Sequence, residues 1–178
     1  MIPDRVSIKE RSSTVNDRTE SGHWEQDTVV SRAGCKGGLS VGIERTTRFV
    51  TATKVMSMST FEHMAVIKHQ QALFNILSIT FDNGIENKAH MTLGIYTFFC
   101  DAYSSWQKGG VENVNKMLRR YFPKGTAFRT VSQRRVDAAV LLINNKPRKI
   151  LGYKTATEVA VACGIFKQIN QPTVLIGG

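Results

Sequence analysis

The sequence predicts an α/β fold in which a five-stranded mixed sheet carries helices on both faces. Between residues 27 and 55, three strand-like stretches follow one another through short loops, which is typical of an antiparallel meander. From residue 59 to residue 99, a helical stretch leads to two further strand-like stretches, which is typical of parallel strands added through a crossover helix. A length of 178 residues predicts one domain.

The first half of the chain supplies the meander and the crossover helix. The predicted meander strands are residues 27–30, 39–43 and 49–55, because these stretches alternate or are rich in β-branched residues. Ser59, with Glu62 three residues later, is a capping-box signature that predicts a helix start. The expected apolar face of this helix contains Phe61, Met64, Ile67 and Phe74.

The second half supplies the last two strands and the remaining helices. Residues 78–82 alternate as a fourth strand, which Asn83 and Gly84 end because both tolerate positive φ. Residues 95–99 are the predicted fifth strand. A loop then leads to a helix whose apolar side contains Val111, Val114, Met117, Leu118 and Tyr121. A second helix starts at Ser132, and its apolar stripe contains Val136, Ala139, Val140 and Ile143. A short helix is predicted over residues 158–163.

These patterns divide the chain into three parts. Residues 1–22 are polar and are expected to form a linker or arm. Residues 23–163 are predicted to form the core domain, and Trp24 is expected to be buried in its hydrophobic interior. Residues 164–178 form a tail without an assigned role.

Composition excludes several classes of protein. Hydrophobic residues make up 42% and charged residues 21% of the chain, as in globular domains, and no apolar run approaches the roughly 18 residues of a membrane span. Three scattered cysteines argue against a disulfide framework or a zinc site and favour a reducing compartment. The four histidines show no metal-ligand spacing.

Positive charge is concentrated in one part of the sequence. The formal net charge is +10, and residues 108–149 contain eleven basic residues against only Glu112 and Asp137. Clustered positive charge favours a polyanionic partner, with nucleic acid first. A solvated basic face is the alternative.

Three acidic residues occupy comparable places in the predicted fold. Asp27 begins the first strand, Asp82 ends the fourth, and Glu112 lies in the first turn of a helix. The first and fourth strands can lie side by side after a right-handed crossover. Three carboxylates gathered there would repel one another unless cations neutralised them. Mg²⁺ or Mn²⁺ suits such oxygen ligands, and a pair of these ions can activate a nucleophile at a phosphodiester.

The motifs around these acids carry a family resemblance. The chain resembles the catalytic core of bacterial insertion-sequence transposases of the IS-thirty type, in the DDE integrase-like superfamily with an RNase H-like fold. The matching stretches, in order, are GHWEQDTV (22–29), TFDNG (80–84), YSSWQKG (103–109), EN (112–113), RYFPKGT (120–126), VSQ (131–133), NNKPRK (144–149) and LGYKT (151–155).

The resemblance implies a function and a set of site residues. It implies Asp27, Asp82 and Glu112 as a catalytic triad that holds two Mg²⁺ or Mn²⁺ ions. Glu25 competes with Asp27, but the family motif favours Asp27. Glu86 competes with Glu112 but lies only four residues after Asp82, in the same turn region. The implied activity is cleavage of DNA at insertion-sequence ends followed by strand transfer. The expected partners are transposon ends, target DNA and further copies of the chain, and the expected location is the bacterial cytoplasm, at the nucleoid.

The same resemblance implies a DNA-binding set around the third acid. Tyr103 and Trp106 are expected to stack on an unpaired base, with packing under the loop as the alternative. The basic residues expected to hold phosphates are Lys108, Lys116, Arg119, Arg120 and Lys124.

The chain also departs from the family pattern. Asp82 and Glu112 are 30 positions apart (112 − 82), shorter than usual by about one helical turn (~4 residues), and the loss falls between residues 88 and 95. The family's helix-turn-helix has no counterpart in these residues. Two alternatives follow: an inactive remnant that only binds DNA, and an RNase H-like nuclease acting on RNA. The strand at residues 95–99 retains a full set of alternating residues that can pack on the sheet. We therefore expect the register of this strand to survive and Glu112 to face the two aspartates.

Overall fold

A six-stranded mixed sheet forms the centre of the molecule in the computed structural model, which describes residues 2–102 and 104–167 except for the side chains of Ser105 and Trp106. The strands are β1 (Val6–Ser7), β2 (His23–Val30), β3 (Gly38–Glu44), β4 (Val50–Val55), β5 (Ser78–Phe81) and β6 (Tyr96–Phe99). Their order across the sheet is β1-β6-β5-β2-β3-β4.

The pairing of the strands confirms the predicted meander and crossover. β2, β3 and β4 are antiparallel neighbours, and β5 pairs in parallel with both β2 and β6. His23 lies opposite Ser78, and Glu25 lies opposite Thr80. The first and fourth predicted strands are therefore adjacent at the sheet centre, as expected.

The prediction of five strands was wrong by one. β1 pairs in parallel with β6, with Val6 opposite Phe98 and Ser7 opposite Phe99. A strand of two residues shows no period in the sequence, so the pattern could not indicate it.

The segment expected to be a linker packs against the sheet. Besides β1 it contains helix α1 (Ser13–Asp17), and Ile8 and Val15 are buried. The Arg11 side chain donates a hydrogen bond to Thr80 Oγ1 on β5 at 3.1 Å. This segment thus covers one edge of the sheet. Of the expected tail, residues 168–178 lie outside the described residues.

Four further helices follow: α2 (Thr60–Leu73), α3 (Gly109–Leu118), α4 (Gln133–Asn144) and α5 (Ala156–Ala162). Within the described residues, none of the helices has the length and apolar character needed to cross a membrane. Cys35, Cys100 and Cys163 are all described, and none forms a disulfide.

The start of α2 was predicted better than its buried face. Ser59 Oγ accepts a hydrogen bond from Glu62 N at 3.2 Å, but the Glu62 carboxylate binds the backbone of Met56 and Ser57 instead of closing a capping box. Phe61 is 85% exposed, because it lies about 130° around the helix from the centre of the buried face. That face consists of His63, Met64, Ile67 and Gln70.

Helices cover both faces of the sheet, as predicted. On one face, the meander strands pack against α3 and α4 around residues such as Val41, Val114 and Phe128. On the other face, Trp24 packs with α2, Phe81, Phe99 and Ile165. Trp24 is therefore part of the core.

Two amide side chains of α4 bind the free edge of β4. Asn144 exchanges two hydrogen bonds with the backbone of Val50, at 2.9 and 2.8 Å. Gln133 accepts from Lys54 N at 2.7 Å and donates to Ala52 O at 3.1 Å. These amides occupy the backbone groups that an edge strand otherwise leaves unpaired.

We expect Asn144→Ala to lower the free energy of unfolding by about 2–3 kcal/mol, because it leaves a buried N–H and a buried C=O of Val50 unpaired. The matched control is Asn145→Ala, which removes the same amide from the next, exposed position and should cost less than about 1 kcal/mol. Urea unfolding of both variants measures the difference. Equal losses would contradict the role given to Asn144.

Candidate active site

Two neighbouring parallel strands and one helix bring three acids to one cavity. Asp27 lies inside β2 rather than at its start, and Asp82 directly follows β5. Glu112 lies in the first turn of α3. All three line a cavity of about 460 Å³, together with Cys100 and Asp101. The cavity lies at the carboxyl end of β5, where open α/β sheets place their ligands.

Lys108 stands between the two aspartates. Its Nζ lies 3.1 Å from Asp27 Oδ1 and 3.5 Å from Asp82 Oδ2, and it donates to Gln26 O at 3.1 Å. The side chain is only 4% exposed. Burial alone would lower the pKa of Lys108, but the charges of Asp27 and Asp82 outweigh burial and the pKa is raised. The ammonium is therefore charged at neutral pH and offsets one of the two negative charges of the pair.

The other oxygen of each aspartate is held by amide donors. Asn115 Nδ2 donates to Asp27 Oδ2 at 2.7 Å. Gly84 N and Asn87 Nδ2 donate to Asp82 Oδ1 at 3.0 and 3.1 Å. Each carboxylate is thus fixed through one oxygen while the other faces a single shared cation.

The third acid shares the cavity but does not join this cluster. Across residues 2–102 and 104–167, no three His, Cys, Asp or Glu side chains are gathered closely enough to hold a metal ion. Glu112 therefore lines the cavity without converging on the point where Asp27 and Asp82 meet.

The residues nevertheless fit a hard divalent cation in their chemistry. Carboxylate oxygens are the ligands that Mg²⁺ and Mn²⁺ prefer, and Asp27 and Asp82 already hold one positive charge between them. The Lys108 ammonium stands in for that charge. A bound cation would have to displace it.

The two competing acids have other contacts. Glu25 is buried, forms an ion pair with Arg45, and accepts from Val111 N at 3.0 Å. It thus anchors the start of α3 to β2. Glu86 is half-buried and is not among the residues that line the cavity. Burial raises the pKa of Glu86, and the charges of Asp82 and Asp27 raise it further.

The predicted DNA-binding residues are placed differently from one another. Lys116, Arg120 and Lys124 are exposed, and Arg119 is half-buried. Lys108 is not on this surface, because its ammonium is bound to the aspartates. Tyr103 and the side chain of Trp106 lie outside the described residues.

The sequence pattern missed the residues that position the aspartates. Lys108 and Asn115 touch Asp27 from either end of the first two turns of α3, and Asn87 touches Asp82. The spacing Lys108, Glu112, Asn115 is i, i+4, i+7, one helix face, and this signal could have found them.

The fold defines the class of protein. The catalytic core domain of BIV integrase superposes with a TM-score of 0.62 over 80% of this chain and 95% of that chain, at 20% identity. The protein has the RNase H-like fold of integrase catalytic cores, with six strands in place of the expected five.

Sequence relatives give the nearer similarity. A transposase for insertion sequence element IS1086 of Cupriavidus metallidurans is 38% identical over 89% of this chain and 48% of its own length. Transposase InsI for IS30A of Escherichia coli is 32% identical over 89% of this chain and 43% of its length. A transposase for IS4351 of Bacteroides fragilis is 35% identical over 97% of this chain and 53% of its length.

These relatives confirm the resemblance seen in the motifs: the chain is homologous to insertion-sequence transposases over most of its length. The chain spans about half the length of the curated relatives it matches. No family model matches the sequence.

We expect Lys108→Met to lower the melting temperature in the absence of divalent ions, because Asp27 and Asp82 then face each other without a cation. Mg²⁺ or Ca²⁺ should raise the melting temperature of this variant more than that of the wild type, because the ion no longer competes with the ammonium. Lys116→Met, on the exposed side of α3, is the control and should respond like the wild type. Equal metal responses of Lys108→Met and wild type would show that Lys108 does not compete for the site.

Proposed function

We propose that this chain is the catalytic core of an insertion-sequence transposase, which cleaves DNA at the ends of the element and joins the freed 3′-hydroxyl to target DNA. The observation that carries the proposal is the pair Asp27 and Asp82, which adjacent parallel strands hold on either side of one cation in a cavity shared with Glu112. The names of the relatives support the reaction class.

In this proposal Asp27, Asp82 and Glu112 would hold two Mg²⁺ or Mn²⁺ ions, which would displace the Lys108 ammonium from between the aspartates. When bound, such ions activate a water or a 3′-hydroxyl and stabilise the leaving oxygen of a phosphodiester. Asn115 and Asn87 keep the two aspartates oriented through their hydrogen bonds.

DNA is the proposed partner along the exposed side of α3 and the loop after it. Lys116, Arg120 and Lys124 are free of ion pairs with any described residue and are exposed to solvent. They would contact phosphates together with Arg119, while Tyr103 and Trp106 would stack on an unpaired base near the cut. Copies of the chain would assemble on the DNA in the bacterial cytoplasm.

The second candidate is an inactive remnant that only binds DNA. Lys108 satisfies the two aspartates without any metal, and the described residues contain no gathered set of three metal-binding side chains. These two observations favour a site that has lost its ions while retaining its basic surface.

Nicking of a labelled DNA duplex carrying the element's ends separates the two candidates. We expect Mg²⁺-dependent nicking by the wild type, and a loss of at least about a hundredfold in Asp82→Asn and Glu112→Gln, since removal of a residue that stabilises the transition state costs several kcal/mol. Glu86→Gln is the matched control and should stay within a fewfold of wild type. Absence of nicking by the wild type together with retained DNA binding would favour the remnant.

We expect DNA affinity to fall steeply with salt, because each contacted phosphate releases counterions. Lys116→Gln, Arg120→Gln and Lys124→Gln should each lower the slope of log affinity against log salt by about one unit. Fluorescence anisotropy with duplexes of two unrelated sequences measures both effects. Affinity that does not change with salt would contradict a phosphate-binding surface.

A further inference from the structure

A second cavity lies beside the start of α3. It is on the side of the helix next to the side that faces the carboxylate cavity. It has a volume of about 180 Å³. Lys108 and Glu112 line the carboxylate cavity, whereas the next residues around the helix, Gly109 and Asn113, line this one. The remaining lining residues are Arg18, Ile43, Arg48, Gly110, Arg148 and Ile150.

Three half-buried arginines give this cavity its charge. Arg18 follows α1, Arg48 precedes β4, and Arg148 lies in the turn after α4, so distant parts of the chain bring them together. Within the described part of the chain, none of the three lies within 4.0 Å of a carboxylate oxygen. We refer to this site as the arginine cavity.

The donors of the arginine cavity are only partly used. Arg148 donates one hydrogen bond, to Ile143 O at 3.1 Å. Arg18 Nε is buried and has no hydrogen-bond partner among the described residues. Glu25 is the acid that acts most directly on Arg48, yet Glu25 is already bound to Arg45 and to Val111 N. The cavity therefore holds unused N–H donors and uncompensated positive charge.

The proximity of like charges has an energetic cost. Burial lowers the pKa of Arg48, and the charge of Arg18 lowers it further; burial also lowers the pKa of Arg148. Guanidinium groups stay protonated in proteins, so the mutual repulsion persists at neutral pH. An anion in the cavity would offset that repulsion and use the free donors.

The adjacent helix start and the size of the cavity limit which ligands the arginine cavity can bind. α3 is ten residues long, and the N-terminus of a helix carries partial positive charge that favours anions. The volume is well below the about 300–1,000 Å³ of pockets for drug-sized molecules. A single phosphate group fits these constraints better than a whole nucleotide.

We propose that the arginine cavity binds one backbone phosphate of the same DNA strand whose scissile phosphodiester, a few nucleotides away, lies at the carboxylate cavity. The proposal rests on the proposed function, because it takes DNA as the substrate. The two cavities are on adjacent flanks of one helix, so they are separated by on the order of the helix diameter, about 10 Å. This is roughly three base-pair steps of 3.4 Å, and the phosphate contact would therefore position the strand for cleavage.

The first test uses inorganic phosphate as the probe and needs no DNA. At constant ionic strength, replacing chloride by phosphate should raise the melting temperature of the wild type, because an anion that binds only the folded state stabilises it. Arg48→Gln should lose this phosphate response. Lys68→Gln is the control: it removes one charge from the exposed surface of α2, on the opposite face of the sheet, and should keep the full response. An undiminished response in Arg48→Gln overturns the site.

The second test measures binding of a short DNA duplex. Arg48→Gln should weaken binding about tenfold and lower the salt slope by about one unit, whereas Lys68→Gln should change neither. Arg148→Gln is measured in parallel and should reproduce both effects, so that a folding defect in one variant does not decide the result.

The outcomes separate this proposal from the proposed function. Wild-type protein that binds no DNA overturns the proposed function. Wild-type protein that binds DNA, with Arg48→Gln and Arg148→Gln binding equally well, overturns only the arginine cavity as a DNA site. Loss of the phosphate response without any loss of DNA affinity has the same consequence.

Discussion

The position of α3 depends on the buried carboxylate of Glu25. This side chain, 1% exposed, lies on the central strand β2, pairs with Arg45, and accepts from Val111 N at the start of the helix. A Cβ at Gly110 would lie 2.7 Å from Glu25 Oε2, so only glycine lets the helix start approach this closely. Breaking the buried ion pair between Glu25 and Arg45 would cost about 3–5 kcal/mol, so the carboxylate that accepts from Val111 N is held firmly in place. Lys108 and Glu112 on either side of this contact are placed by it.

The sequence predicted the arrangement of the acids better than their neutralisation. The alternating pattern at residues 78–82 placed Asp82 at a strand end, and a crossover put it next to the strand of Asp27. Their repulsion was expected to require metal ions. The structure also places an internal ammonium between the two aspartates, and the basic composition of residues 108–149 gave no reason to separate Lys108 from its exposed neighbours. The burial of Lys108 depends on contacts among β2, β5 and α3 together, and the periodicity of a single stretch of sequence cannot indicate such contacts.

The shortened spacing between Asp82 and Glu112 leaves the sheet intact. Ile79 lies opposite Thr97, and Thr80 lies opposite Phe98, so β6 keeps a regular register with β5, as the alternating pattern of residues 95–99 predicted. A 3₁₀ turn at His90–Leu93 lies between residues 88 and 95, where the loss of about one helical turn falls. His90 is buried there and bonds to Thr97 Oγ1 at 2.7 Å. The chain thus absorbs the missing turn before β6 begins, and Glu112 still reaches the cavity of the aspartates.

The amides of α4 on β4 also limit how copies of this chain can associate. Gln133 and Asn144 bind four outward groups of β4, namely the N–H and C=O of Val50, the C=O of Ala52 and the N–H of Lys54. The opposite edge of the sheet is the two-residue strand β1. Neither edge offers a long row of free backbone groups on which another strand could pair. Copies of the molecule that meet on a shared ligand would therefore do so through side-chain surfaces, and the sheet would remain confined to one chain.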